Sequence, residues 1–187
     1  MSRPARLGIV ILSCSLLAAQ WQPDPAVRLE RKTAAAVERF EKKPRTEVFF
    51  EEAYGYVVFP TIKRVGFGLG LAYGKGLVFE QGRLVGQGKF SQFTSGLQAG
   101  VRVFSMIIFF KDKEAMDLYK RARLEFVGQA SVTLVTVGAS ADSSYNSGVA
   151  VFTRTKGGAM FEATISGVKF GYMPLAEAPM QEYREGP

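Results

Sequence analysis

Residues 65–76 read VGFGLGLAYGKG, and five of the twelve are glycine. A dinucleotide site needs G-x-G-x-x-G between a strand and a helix. Here Gly66, Gly68 and Gly70 are each two apart, and no helical pattern follows. A phosphate loop needs G-x-x-x-x-G-K-[ST]. Gly74-Lys75 resembles its end, but Leu69 stands at its first glycine and Gly76 where the metal-binding hydroxyl belongs. Both phosphate readings fail on spacing. A strand accommodates the run, because its side chains alternate between two faces. Gly66, Gly68 and Gly70 share one face, and Val65, Phe67, Leu69 and Leu71 the other. The expectation is that the apolar face meets a core. The glycine face then admits another backbone, an aromatic ring or a lipid chain. Gly74 and Gly76 read as a turn or bulge before the strand LVFEQ at 77–81.

The same grammar continues along the chain. YGYVVFP, 54–60, reads as a strand closed by Pro60. The segment 76–90 reads as two strands joined at Gln81-Gly82, and 97–110 as one long strand. In DKEAMDLYKRARL, Asp112 is placed to cap a helix, with a stripe of Ala115, Leu118, Tyr119 and Ala122. Residues 129–139 read as a further strand, and 148–172 as two or three strands turning at Gly157-Gly158. Near the N-terminus, 26–43 is rich in helix formers, and Leu29, Thr33, Ala36, Val37 and Phe40 recur at three- and four-residue spacing. Pro44 ends that helix. The expected fold is α+β: a strongly curved antiparallel sheet or partly closed barrel with an N-terminal and a central helix. About eight strands are expected.

The chain of 187 residues is long enough for one domain with a sizeable core. It contains no histidine and one cysteine, Cys14. His-based triads, Cys-His dyads, imidazole metal sites and an intrachain disulfide are therefore excluded. The net charge of +7 favours anionic partners without naming one. Asp112, Glu114 and Asp117 lie too close together on one helix to enclose a hard cation. Ser95 has no histidine to activate it, while a Ser-Lys pairing stays open. An enzyme is disfavoured, no cofactor or metal is called for, and nucleic acid is disfavoured because the basic residues are scattered.

Residues 1–19 begin with Arg3 and Arg6 and continue with an uncharged apolar run from Leu7 to Ala19, the pattern of a secretory signal peptide. Within it, ILSC at 11–14 resembles the lipobox of bacterial lipoproteins. That resemblance implies cleavage before Cys14 and its acylation, with the protein held in the cell envelope, at the outer membrane rather than the inner and facing the periplasm. Cleavage after Ala18 or Ala19, releasing a soluble periplasmic protein, is the alternative. Residues 20–47 read as linker and amphipathic helix, 48–175 as the domain, and 176–187 as a loose tail.

The combination VVFPTIKRVGFGLGLAYGKG, SGLQAG at 95–100, FFKDKEAMDLY at 109–119 and a glycine-rich C-terminal hairpin resembles the SYLF domain of lipid-binding proteins. The likeness runs from about Glu52 to Met173. It implies lipid binding through basic residues and an N-terminal amphipathic segment. By position Arg64 matches the family's basic residue two places before G-F-G, and Phe59, Pro60, Gly66, Gly68, Ser95, Gly96 and Gln98 match its framework. The leading expectation is a non-catalytic envelope protein that binds anionic phospholipid or membrane surface, with Arg31, Lys32, Arg39, Lys63, Arg64 and Lys75 as charge contacts. The alternative is a lipid-anchored structural or protein-interaction module of the envelope, whose apolar patch would be MIIFF, 106–110, or Phe49-Phe50.

Overall fold

A computed structural model describes residues 21–24, 27–121, 126–127, 135–136, 145, 148–157 and 160–175. The expected signal peptide with Cys14, residue Ala122, most of the strand placed at 129–139, Gly158 and the tail 176–187 lie outside them. In chain order the elements are α1 (Arg28–Glu41), α2 (Pro44–Glu52), β1 (Gly55–Glu80), β2 (Arg83–Phe110), α3 (Lys113–Lys120), β3 (Phe126–Val127), β4 (Val135–Thr136), β5 (Val149–Gly157) and β6 (Met160–Pro174). The fold is α+β. One sheet has the order β3-β6-β2-β5-β4, with β1 paired along β2, and every pairing is antiparallel except β4 with β5. The described strands do not close into a barrel.

Among the described residues six strands stand where about eight were expected of the chain, and the turns read there from glycine and proline are mostly not turns. Pro60 does not close a strand. It lies at a bulge between Phe59 and Ile62, where β1 carries one residue more than β2. A proline without an N–H is tolerated at such a point, and the strand runs on. Gly74 and Gly76 likewise lie inside β1, paired with Phe90 and Gly88. The turn at Gln81-Gly82 does occur: φ is 48° and 75° at the two residues, the positive pair of a tight type I′ hairpin. β5 and β6 do not form the expected hairpin. Both pair with the same edge of β2, β5 beside Val103–Phe110 and β6 beside Gly86–Gly100, so they lie end to end.

The long ribbon of β1 and β2 coils until the two ends of β1 meet. Gln81 N–H donates to Tyr54 O at 2.9 Å. A Cβ on Gly74 would stand 2.7 Å from Ile62 Cγ1, and one on Gly76 would stand 2.4 Å from Val58 O and 2.8 Å from Phe59 Cδ1. Glycine is required there because backbone packs on backbone. The inside of this coil holds Val57, Phe59, Ile62, Val78, Phe90, Ile108, Phe110 and Phe170. α3 closes it with Ala115, Met116 and Tyr119, and Asp112 caps α3 as expected by accepting from Ala115 N–H at 2.9 Å. Leu118 is exposed, so the expected stripe on this helix is shifted by Met116.

On the outside of the coil, α1 packs the expected stripe. Leu29 covers Leu77 and Phe79 from one end of β1, and Ala36 and Phe40 cover Val58 from the other. α2 was not expected. Pro44 both follows α1 and opens α2 at its first turn, where a missing N–H costs nothing. Thr46 Oγ1 fastens the corner by donating to the carbonyls of Phe40 and Lys43. Phe49 then joins Ile107, Phe109, Ala150 and Phe152 beneath the helix pair.

Candidate functional site: an uncovered apolar face with cationic ends

Directly opposed residues of an antiparallel pair share a face. The register Lys63↔Val103, Val65↔Val101, Phe67↔Ala99, Leu69↔Ser95, Leu71↔Phe93, Tyr73↔Ser91 and Lys75↔Lys89 therefore defines one continuous surface. It continues the outer face that α1 and α2 cover at Val58, Ile107 and Phe109. Beyond those residues no described element covers it. Val65, Phe67, Leu69, Leu71, Tyr73, Phe93, Leu97 and Val101 are all exposed.

This reverses one expectation. The glycine side of 65–76 is the inner side: Gly66, Gly70 and Ala72 are buried, and the apolar side faces out. Further along the same inner side, another backbone and an aromatic ring approach at Gly74 and Gly76. Gly68 departs from the alternation. Its φ is +67°, and it sits at the register shift between Phe67 and Leu69. A run of exposed apolar side chains of this length is uncommon on a monomeric protein.

Cations stand at both ends. Lys63 is exposed next to Val65, while Lys75 and exposed Lys89 face each other at the far end and exposed Lys169 lies opposite Ser91. The two segments 63–75 and 89–103 contain five cations, Lys63, Arg64, Lys75, Lys89 and Arg102, and no carboxylate.

The six charge contacts read from sequence separate in space. Lys63 and Lys75 belong to the uncovered face. Arg64, next to Lys63, is on the inner side with 8% of its surface exposed, so the two do not act as a neighbouring pair. Arg31 is exposed on α1. Lys32 and Arg39 come together with two residues that sequence reading missed, Arg154 and Lys156 of β5. Lys156 Nζ donates to Thr61 Oγ1 at 3.3 Å. Partial desolvation, followed by the charges of Arg39, Lys32 and Arg154, holds its ammonium below the ordinary lysine value. This basic group marks the border between the covered and uncovered parts of the outer face.

The signal that could have oriented the run was present. Lys63 and Lys75 share odd-numbered parity with Val65 to Tyr73, so a buried apolar face would have carried two lysines inward. The patches expected for a protein partner are covered instead. Met106 to Phe110 are buried throughout, as is Phe49, and Phe50 is half-buried. Asp112 caps α3, and Asp117 pairs with Lys113 at 2.6 Å. No described helix is long and apolar enough to cross a membrane.

No family model matches the chain. Among curated proteins it is similar to Beta cell expansion factor A of Aeromonas veronii, with 29% identity over 139 residues, which is 73% of this chain and 52% of that protein. The chain spans about half the length of that curated relative.

Proposed function

We propose that this protein is a non-catalytic binder of anionic membrane surfaces in the bacterial cell envelope. The observation that carries the reading is the uncovered apolar face of β1 and β2 with lysines at both ends. An anionic bilayer meets both chemistries at once: acyl chains take the apolar side chains, and lipid phosphates take the ammonium groups. The motif likeness to SYLF domains supports the same reading, with acylation at Cys14 as a second, covalent attachment. Binding rather than reaction is the role this reading assigns to the face.

Flotation of the full chain carrying Cys14→Ser, which removes the acylation site, tests direct recognition. Vesicles of phosphatidylcholine alone are compared with vesicles of equal parts phosphatidylcholine and phosphatidylglycerol, at low and high salt. The expected result is flotation with the anionic vesicles only, weakened by salt. A lysine at such a surface contributes about 1 kcal/mol, so Lys63→Glu, Lys75→Glu and Lys89→Glu together should lower partitioning on the order of a hundredfold. No flotation in any condition would sink the reading and leave salt-insensitive capture of an envelope protein as its successor.

A further inference from the structure

We infer that Phe67 and Leu97 form a wedge that enters the acyl layer of an anionic bilayer ahead of the rest of the face, an inference that rests on the membrane reading above. Phe67 is paired with Ala99, and Leu69 with Ser95. Between those pairs β1 has one residue, Gly68, and β2 has three, Gly96 to Gln98. Unequal lengths in a strand pair bend it locally and increase its twist. Both strands supply the glycines the bend needs, with φ +67° at Gly68 and 139° at Gly96. Phe67 borders this bend and Leu97 lies within it, and they are the two most exposed large apolar residues of the described chain, at 90% and 72%. Val65, Leu69, Leu71, Phe93 and Val101 surround them and are less exposed.

Charge decides the occupant. A second copy docked face to face would set Lys63, Lys75 and Lys89 against the same three lysines, with no carboxylate in 63–75 or 89–103 of either copy. An anionic bilayer supplies the missing negative charge and an apolar layer beneath it. Depth follows from the same residues. Lys63 at one end and Lys75 and Lys89 at the other hold their ammonium groups at the phosphates, so the crest between them reaches about 5–10 Å into the boundary of headgroups and acyl chains. The wedge therefore lies in the upper acyl layer and does not span the membrane.

The test uses the chain's single tryptophan, Trp21, which packs on Phe79. In the full chain with Cys14→Ser, Trp21→Phe is combined with Phe67→Trp, or with Leu118→Trp on exposed α3 as the comparison. Phosphatidylcholine–phosphatidylglycerol vesicles carry bromine high or low on the acyl chains. The expected result is a blue-shifted emission at position 67, quenched more by the high than by the low bromines, with position 118 unquenched. Independently, Phe67→Ser and Leu97→Ser should each lower partitioning about tenfold or more, with the unfolding midpoint unchanged. If the protein floats while position 67 stays unquenched, or both serine variants bind as before, the wedge is wrong and the surface-binding reading stands. If no variant binds vesicles of any composition, both fail together.

Discussion

Two stretches of the same outer face, close along the same two strands, have opposite fates. At Val58, Ile107 and Phe109 the apolar side chains lie under α1 and α2 and are fully buried. A few residues on, Val65, Phe67, Leu69 and Leu71 repeat the same alternation and stand in the open. Residue type does not separate them. What separates them is reach: α1 bridges the two ends of the coiled ribbon, touching Leu77 and Phe79 at one and Val58 at the other. No described element covers the arc between those ends. An apolar strand face does not record in its sequence whether another part of the chain will cover it.

The comparison can be broken most directly by truncating one ring in each region. Phe109→Ala should cost about 3–5 kcal/mol in a denaturant titration, since a buried ring is lost and a cavity remains. Phe67→Ala should change stability by no more than about 0.5 kcal/mol. Similar losses at the two sites would mean that the outer arc is covered in solution. The coil itself is tested next. Gly76→Ala would press a methyl group onto Val58 O and should cost about 1–3 kcal/mol, whereas Gly157→Ala meets nothing within 4 Å and should be near neutral. A neutral Gly76→Ala would show that the ends of β1 do not meet as described.

A smaller effect lies where the hairpin end of β1 is tied to α3. Glu80 accepts from Tyr54 OH at 2.7 Å and from Lys120 Nζ. Burial raises its pKa and is the largest single influence, but the hydrogen bonds from Lys120 and Tyr54, with the charge of Lys120, outweigh it and leave the carboxyl below its ordinary 4.5. A depressed carboxyl contributes stability in full above the unfolded value and loses it as pH falls through the folded value. Glu80→Gln should therefore cost about 0.5–1 kcal/mol at neutral pH, after allowance for solvent screening. The difference from the parent should vanish below pH 4.5 in acid titrations followed by circular dichroism. Smallest of all, Gln81 holds a positive φ that asparagine adopts more readily. Gln81→Asn should raise stability on the order of 0.5 kcal/mol without altering vesicle binding.

What was legible in the sequence was local. The stripe Leu29, Thr33, Ala36, Phe40 packs as its spacing requires, Asp112 caps its helix, and Gln81-Gly82 turns the main hairpin. Each depends on residues within a turn or two of one another. Readings that needed a distant partner fared differently. Pro60 reads as a strand end and lies at a bulge, because β2 continues beside it. Gly157-Gly158 reads as a hairpin turn, whereas β2 offers one edge long enough for β5 and β6 in succession. Lys32 and Arg39 read as parts of a basic helix, and only the fold brings their charges to bear on Lys156 together with that of Arg154.

The sequence by itself determined that 65–71 alternates glycine with apolar side chains as a strand does, because such alternation is a property of the extended backbone. It also determined that lysines end the apolar face, since position 63 and position 75 share its parity. Which face turns inward was decided by the tertiary structure. β1 coils until its own backbone meets itself at Gly74 and Gly76, and at such a distance no side chain larger than hydrogen fits. That long-range contact puts glycine on the inside and leaves Phe67 and its neighbours on the outside.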